Sequence, residues 1–104
     1  MIMKCKKLST GEIEDYGYFD GEKQIAKCSL KKKEKGFMLK NVFIEPEYRG
    51  KGLCTKFLEC VLKKYTGSIF LSVLMTNEPA IKCYTKLGFK EIDKGRSTLY
   101  MRKN

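Results

Sequence analysis

The chain has 104 residues, of which 42% are hydrophobic, and its 22 lysines and arginines against 12 acidic residues give a formal net charge of +10. This length predicts one domain, residues 1–104, with room for a sheet covered by about two helices and little space for a second site. The absence of histidine excludes Ser-His-Asp and Cys-His catalysis and any proton transfer by imidazole.

The positive charge is almost entirely lysine, because arginine occurs only at positions 49, 96 and 102. Nucleic-acid readers use arginine for bidentate contacts, so a lysine-rich charge is more typical of a solvated surface. The charge also disfavours a small polycationic substrate and favours a polyanionic cofactor or an acidic partner.

Cysteine usage and hydropathy predict a soluble, cytoplasmic protein. No apolar run approaches the roughly 18 residues of a membrane span, and residues 1–7 lack the apolar stretch of a signal peptide. The cysteines form no Cys-x-x-Cys pair and have no histidine to complete a zinc site of the usual kind. We therefore expect no metal, and free thiols in a reducing compartment. The cysteines are Cys5, Cys28, Cys54, Cys60 and Cys83.

The first part of the chain is predicted to consist of strands. The expected strands are residues 2–8, 13–19, 24–30 and 37–44. The second and third form a hairpin through Asp20-Gly21, a dipeptide that suits the positive φ angles of a tight turn. The lysine-rich residues 31–35 are predicted to be a hairpin loop, and residues 37–44 are apolar enough for an interior strand.

The second part alternates helices and strands. Apolar residues recur at helical spacing over residues 50–65, and Gly67 is placed to end that helix. Residues 68–74 are predicted to form a buried strand, and Asn77 is a good N-cap for a helix that stops at Gly88. Two final strands, 89–93 and 98–102, are joined through Gly95. This order predicts an α+β fold in which helices cover a mixed sheet.

The segment between the fourth strand and the first helix indicates an anion site. Gly50 and Gly52 let the backbone approach a ligand closely, and the first N–H groups of the helix point outward with the positive end of its dipole. Arg49 and Lys51 add positive charge, which favours a diphosphate. An ordinary glycine-containing helix start would have the same residues, and Leu53 after Gly52 excludes the Gly-x-x-x-x-Gly-Lys loop.

A second motif follows the next strand and makes the pattern specific. It reads Asn77-x-x-Ala80-x-x-x-Tyr84-x-x-Leu87-Gly88-Phe89. Together with Tyr48-Arg49-Gly50-Lys51-Gly52-Leu53-Cys54 it resembles the GNAT family of N-acetyltransferases, over residues 36–103. The resemblance implies a mixed, mostly antiparallel sheet of six or seven strands with two helices and splayed central strands. It also implies acetyl-CoA as cosubstrate and an amine as acceptor, small molecule or protein.

The resemblance further implies roles for individual residues. Backbone groups of Val42, Phe43 and Ile44 would contact the pantetheine arm and frame the acetyl carbonyl. The diphosphate would be held by Arg49, Gly50, Lys51, Gly52, Leu53, Cys54 and Thr55. Asn77 would reach the pantetheine, and Tyr84 would give a proton to the departing CoA thiolate, because a phenol of pKa ~10 suits an acid. Alternatively, Tyr84 would be a core aromatic packed with Ile81 and Leu87.

The general base is left open by the sequence. Lys40 stands where many family members carry a carboxylate on the strand. Glu45 and Glu78 are the first candidates in its place, although a solvated strand end and an acid favoured by the helix dipole explain them equally. Glu12, Glu14 or Asp15 could also reach the cleft, and an amine that arrives neutral would need no base.

Two further departures concern Cys54 and the acceptor side. Cys54 replaces the usual Gly or Ala, and at a helix N-terminus its pKa could fall, which would make it sensitive to oxidation. Only residues 8–12 separate the first two strands, where the family usually has one or two helices. The acceptor side should therefore be open, or closed by a second subunit in a homodimer, which suits a protein or peptide amine better than a small polycation.

Two other functions fit parts of the pattern. Lys40 and the missing helices would also suit a catalytically impaired CoA-binding module that acts as a sensor or interaction domain. The net charge would suit a basic nucleic-acid-binding protein, although no basic stripe interleaved with aromatic residues is present.

Overall fold

The computed structural model describes residues 3–104 as a sheet covered by two α-helices. The strands are β1 (Met3–Ser9), β2 (Ile13–Asp20), β3 (Lys23–Lys33), β4 (Gly36–Ile44), β5 (Ile69–Leu74), β6 (Lys90–Lys94) and β7 (Thr98–Lys103). The helices are α1 (Leu53–Leu62) and α2 (Glu78–Lys86), and a 3-10 turn spans Pro46–Tyr48. The α+β prediction is confirmed, while Ile2 of the first expected strand lies outside the described residues.

The seven strands form one sheet in the order β1-β2-β3-β4-β5-β7-β6. Neighbouring strands pair antiparallel except β4 and β5, which are parallel and joined through α1. The predicted mixed, mostly antiparallel sheet is therefore confirmed. Among residues 3–104, no helix is both long and apolar enough to cross a bilayer.

Both helices contact each other and share one apolar core with the sheet. Phe57, Leu58 and Val61 of α1 are fully buried, and the Phe57 ring stacks on Tyr18 of β2 with 5.1 Å between centroids. The helix is shorter than the expected residues 50–65, because Gly52 has a left-handed conformation and Leu53 is the first helical residue. Its start therefore falls directly after the glycine-rich turn.

Side chains along a central strand alternate between the face that the helices cover and an open face. Along β5, Leu71 and Val73 are buried, whereas Ser72 and Leu74 between and beyond them are exposed. The loop between β1 and β2, residues 10–12, contains no helix, as predicted from the short spacing.

The lysine-rich segment was predicted wrongly as a loop over most of its length. Lys32 pairs with Phe37 and Lys33 with Gly36, so the chain from Lys31 to Lys33 is still β3. Only Glu34 and Lys35 form the turn. Cross-strand pairing with β4 outweighs the low strand preference of consecutive lysines.

The prediction of free thiols is wrong for two of the cysteines. Cys5 of β1 and Cys60 of α1 form a disulfide, with Cα atoms 6.6 Å apart, and Cys28, Cys54 and Cys83 are free. The two partners lie 55 residues apart in sequence, so only the packing of α1 against β1 brings them together. The bond ties the edge strand to the helix.

Glu14 anchors a polar network where β1, β2 and the segment after α1 meet. Its carboxylate forms a 2.7 Å ion pair with the Lys7 ammonium and accepts a 2.6 Å hydrogen bond from the Tyr65 hydroxyl. The Tyr65 hydroxyl also lies 2.9 Å from the Tyr16 hydroxyl. The pKa of Glu14 is lowered below its usual range, mainly by the contact with Lys7 and next by the hydrogen bond from Tyr65. The network therefore stabilises the ionised carboxylate.

Glu14→Gln is expected to lower the free energy of unfolding by about 1 kcal/mol at pH 7. A carboxylate with a lowered folded-state pKa contributes stability above its unfolded pKa of about 4.3, and loses it as the pH falls through the folded value. Urea denaturation of the variant and the parent at pH 7 and at pH 3 measures the difference. It should shrink at pH 3, and a difference independent of pH would contradict this role for the carboxylate.

Candidate active site

The central strands β4 and β5 separate after a short paired stretch. They pair only at Phe37 with Ile69 and at Met38 with Phe70, although β4 runs on to Ile44 and β5 to Leu74. The expected splay of the central strands is confirmed. Beyond Met38, the edge of β4 that faces β5 offers backbone groups to which an extended, amide-containing chain can pair like an added strand.

A bulge distorts β4 where the gap opens. Ser29 pairs with Lys40 and Lys27 with Phe43, so β4 carries one residue more than β3 over this stretch. Asn41, with φ of 56°, is the non-glycine residue in the left-handed region among residues 3–104. Asparagine tolerates this conformation better than most residues, and the bulge bends the strand just before Val42. The bulge is not among the features predicted from the sequence, where an Asn inside an apolar strand is the available signal.

The glycine-rich turn has an open space in front of it. Gly50 and Gly52 both have φ of 75°, and within residues 3–104 no atom other than those of their chain neighbours lies within 4 Å of the position that a Cβ would take. In the described part of the chain no side chain caps α1, and the first turn of this helix contains no acidic residue. The N–H groups of residues 53–55 and the positive end of the helix dipole are therefore left for an anion, as a diphosphate requires.

Arg49 connects the turn to the end of β4. Its Nε donates a 2.8 Å hydrogen bond to the Ile44 carbonyl, and its guanidinium carbon lies 5.3 Å from the centre of the Phe43 ring. The Lys51 ammonium lies 5.7 Å from the ring centre of Tyr48. Both cations stay exposed at the rim of the turn, which gives it a positive potential.

Tyr84 lies inside the core on α2 with its ring packed edge-on against Phe89, 5.9 Å between centroids. Burial is the main cause that raises the pKa of Tyr84 above its ordinary value, so the phenol stays protonated at neutral pH. Within residues 3–104, hydrogen bonds engage the hydroxyls of Tyr16, Tyr48 and Tyr65 but not that of Tyr84. A packed ring with an unengaged hydroxyl is compatible with a proton donor.

Asn77 and Thr55 are placed at the starts of the two helices. The Asn77 side chain accepts from the Ala80 N–H at 3.4 Å, which confirms the predicted N-cap and leaves the exposed amide group to donate. The Thr55 hydroxyl points toward the Cys83 sulfur at 3.7 Å. The backbone N–H of Thr55 remains available to an anion at the turn.

The expectation that the pKa of Cys54 falls is wrong. The Cys54 and Cys83 sulfurs lie 2.6 Å apart, and this hydrogen bond, followed by burial, raises the pKa of Cys54 above its ordinary value. The pKa of Cys83 is lowered instead, first because the Cys54 thiol can donate to its thiolate and also because the Thr55 hydroxyl does. The more acidic thiol thus belongs to α2 and not to the turn.

The candidate carboxylates are spread over the molecule. Glu45 is half-buried at the end of β4, where its N–H donates to the Ile25 carbonyl at 2.8 Å, and Glu78 is the exposed first residue of α2. Glu12 is exposed in the loop before β2, and Glu14 belongs to the network with Tyr65.

Asp15 is the carboxylate that reaches a cleft at the bulge. The cleft has a volume of about 740 Å³, and its lining includes Asp15, Lys27, Ser29, Asn41, Val42 and Phe43. Asp15 accepts hydrogen bonds of 2.5 Å from the Ser29 hydroxyl and 2.8 Å from the Ser9 hydroxyl. Both lower the pKa of the Asp15 carboxyl, and the bond from Ser29 has the larger effect. The register of β2, β3 and β4 brings these residues together, which the sequence alone does not reveal.

This geometry agrees with comparisons with known proteins. Residues 9–89 match the family model described as "Acetyltransferase (GNAT) family". The match covers most of the chain, and the chain therefore belongs to the GNAT family of acetyltransferases.

Individual relatives point to the same family. An N-alpha-acetyltransferase of Saccharolobus solfataricus is 38% identical over 63 residues, which cover 56% of this chain and 37% of that protein. The PaiA N-acetyltransferase of Thermoplasma acidophilum, solved in complex with coenzyme A, superposes with a TM-score of 0.79 and 28% identity over 89% of this chain and 61% of its own. The chain thus spans little more than a third of the curated relative.

One solved structure is similar in fold alone. The ribosomal-protein-S18-alanine N-acetyltransferase of Escherichia coli superposes with a TM-score of 0.84 at 17% identity, over 98% of this chain and 93% of that chain. The near-complete coverage confirms that the seven strands and two helices follow the GNAT arrangement.

Proposed function

We propose that the chain is an acetyl-CoA-dependent N-acetyltransferase that moves the acetyl group directly to a primary amine. The observation that carries this function is the gap between β4 and β5, which leads to the open turn at Gly50 and Gly52. An amide-containing arm joined to a diphosphate complements an unpaired strand edge followed by an uncapped helix start. The coenzyme A in the PaiA structure supports this assignment.

In this proposal the chain holds acetyl-CoA mainly through its backbone. Val42, Phe43 and Ile44 pair with the pantetheine arm along the β4 edge, and the Asn77 amide reaches the same arm. Residues 49–55 hold the diphosphate through the N–H groups of the turn, with Arg49 and Lys51 as neighbouring cations. Since these donors are fixed by secondary structure, little order is lost when the cofactor binds.

Transfer then needs an oxyanion site, a proton donor and a neutral amine. N–H groups of β4 stabilise the negative charge that develops on the thioester oxygen when the amine nitrogen attacks the carbonyl carbon. The C–S bond breaks, the thiolate takes the proton of the Tyr84 hydroxyl, and the amine gives up a proton to water or to a carboxylate. Water then returns a proton to the Tyr84 phenolate, which restores the chain for the next turnover. Glu45 and Glu78 are the first candidates for that carboxylate, through an intervening water.

We further propose that the acceptor is the α-amine of a protein or peptide. At pH 7.5 about a third of an α-amine with pKa 7.7–8.0 is neutral, against about 0.1% of a lysine side chain. An α-amine therefore depends less on a strong base, which fits a chain with Lys40 at the usual carboxylate position. The short loop of residues 10–12 leaves room for a peptide, and the curated relative is named an N-alpha-acetyltransferase.

Two matched peptides test this function. One has a free N-terminus and no lysine, and the other has a blocked N-terminus and one internal lysine. With acetyl-CoA, we expect mass spectrometry to detect acetylation of the first peptide alone. Acetylation of the second peptide alone would contradict the proposal that the acceptor is an α-amine. Acetyl-CoA binding without transfer to any amine would favour the CoA-binding sensor over the enzyme.

Asp15 is expected to attract the acceptor and not to deprotonate it. A carboxyl with a lowered pKa is a weak base, but its fixed charge in the cleft attracts an amine in its ammonium form. Asp15→Asn should therefore raise KM for the peptide about 10-fold and change kcat by less than about twofold. Steady-state rates at saturating acetyl-CoA measure both constants.

Asp93→Asn is the matched control for Asp15, because Asp93 is exposed on β6. It removes the same charge outside the cleft and should leave both constants unchanged. If Asp15→Asn instead lowers kcat about 100-fold at constant KM, Asp15 acts as the base and the attraction of the ammonium is excluded.

A further inference from the structure

Two free thiols face each other where α1 and α2 meet. The Cys54 sulfur lies in the first turn of α1 and the Cys83 sulfur on the buried side of α2, 2.6 Å apart. Thr55 adds a hydroxyl at 3.7 Å from the Cys83 sulfur. The pair lies beside Tyr84, and neither thiol has a role in the acetyl transfer proposed above.

We propose that Cys54 and Cys83 are a redox-active pair, which a peroxide oxidises to a disulfide and which small thiols reduce again. The two sulfurs are already in direct contact, which is the proximity that a disulfide bond requires. Such a bond would tie the first turn of α1 to α2 without rearranging the core. The inference goes beyond the proposed function, because oxidation of the pair requires neither acetyl-CoA nor turnover.

The surroundings assign a different role to each thiol. Cys83 is the thiol that ionises more easily, because Cys54 and Thr55 can donate hydrogen bonds to its thiolate. The thiolate is the form that attacks a peroxide. Cys54 keeps its proton and is already within reach of Cys83. Cys83 is therefore the attacking thiol and Cys54 the resolving one.

The two steps balance with peroxide as the oxidant. The Cys83 thiolate attacks one peroxide oxygen, the O–O bond breaks, and the departing hydroxide takes a proton to become water. The product is a sulfenic acid on Cys83. The Cys54 sulfur then attacks the Cys83 sulfur and loses its proton, the S–O bond breaks, and a second water leaves. In total, the thiols give up two electrons and two protons, and the peroxide is reduced to two waters.

The third free thiol provides an internal comparison. Cys28 is 1% exposed on β3, and burial is the first cause that raises its pKa to about 12. Cys83 is also buried, at 7% exposed, but Cys28 lacks the thiol and hydroxyl that lie beside Cys83, and a buried thiol with a raised pKa is inert toward peroxide. Cys5 and Cys60 are already bonded to each other. Oxidation should therefore be selective for the pair.

The experiment treats the folded protein with a small excess of hydrogen peroxide, blocks the remaining thiols with N-ethylmaleimide and maps the peptides without reduction. Trypsin places Cys28, Cys54, Cys60 and Cys83 in four separate peptides, because lysines flank each of them. We expect one new linked peptide that joins Cys54 to Cys83, a mass loss of about 2 Da, and full reversal by dithiothreitol.

Three serine variants separate the roles of the thiols. Cys54→Ser keeps a hydroxyl donor beside Cys83 and should accumulate a sulfenic acid there, which dimedone traps. Cys83→Ser should lose the peroxide reaction, and Cys28→Ser should behave like the parent. Circular dichroism checks the fold of each variant. If a variant does not fold, the peptide map of the parent protein alone tests the inference.

Three results would overturn the inference. In the parent protein, Cys83 could stay reduced under peroxide that oxidises an exposed model thiol, or it could become linked to Cys28. In Cys83→Ser, Cys54 could be oxidised as fast as in the parent. Each result would show that the proximity of the two sulfurs does not produce a redox pair.

Discussion

Tyr84→Phe is expected to lower kcat about 100- to 1,000-fold and to change KM for acetyl-CoA by less than about threefold. The hydroxyl is the proton donor in the proposed transfer, whereas the ring provides the packing against Phe89. Because that hydroxyl makes no hydrogen bond within residues 3–104, its loss should leave the melting temperature within about 2 °C of the parent value. Steady-state rates with a peptide α-amine measure the effect.

Tyr100→Phe is the matched control, since Tyr100 is 41% exposed on β7. It should have the parent kcat. The raised pKa of Tyr84 adds a second measurement: the phenol should stay protonated through pH 10, so any earlier alkaline loss of rate must come from another group. A Tyr84→Phe variant that reacts as fast as the parent on a good acceptor would exclude Tyr84 as the acid.

Gly52→Ala is expected to raise the Kd for acetyl-CoA at least about 10-fold, which corresponds to about 1.4 kcal/mol. A Cβ at this residue meets no atom of the described residues beyond its chain neighbours, so the loss arises where the diphosphate approaches the turn. The left-handed conformation of Gly52 also costs about 1 kcal/mol of stability when alanine occupies it. Isothermal titration calorimetry measures Kd, and urea denaturation measures the stability.

Gly21→Ala separates the two effects of Gly52→Ala. Gly21 has φ of 62° in the turn between β2 and β3, and a Cβ there would likewise have only its chain neighbours within 4 Å among residues 3–104. Alanine there should reduce stability by a similar amount and leave Kd unchanged. Equal losses of affinity in both variants would mean that the turn at Gly52 does not hold the cofactor.

Local patterns predict most of the fold correctly. The helical spacing of Phe57, Leu58 and Val61 and the N-cap at Asn77 depend on neighbours a few residues apart, which the sequence shows directly. The gap between β4 and β5 is also predicted, but through the resemblance of the two motifs to a family and not through periodicity.

The structural features that are not predicted from the sequence share one physical cause, which is contact between residues distant in sequence. The Cys5–Cys60 disulfide and the Cys54–Cys83 pair depend on how helices lie on the sheet. The bulge at Asn41 and the cluster around Asp15 depend on the registers of β2, β3 and β4, which no local pattern fixes.

In the proposed function, Lys40 lies between the cofactor site and the acceptor cleft. Lys40 pairs with Ser29, which in turn pairs with Asp15, so the three residues form one cross-strand row. Of this row, Asp15 and Ser29 line the cleft at the bulge. A cleft with the Asp15 carboxylate beside the β4 backbone suits an amine of which part is ammonium and part is neutral near pH 7.5, as is true of an α-amine.

Titration of the ¹⁵N-labelled protein with acetyl-CoA, followed by the backbone amide signals, tests the cofactor site most directly. We expect the largest chemical-shift changes in residues 42–44 and 50–55, the β4 edge and the turn that begins α1. Unchanged signals at millimolar acetyl-CoA, or changes confined to other parts of the sheet, would contradict a cofactor site between β4 and β5.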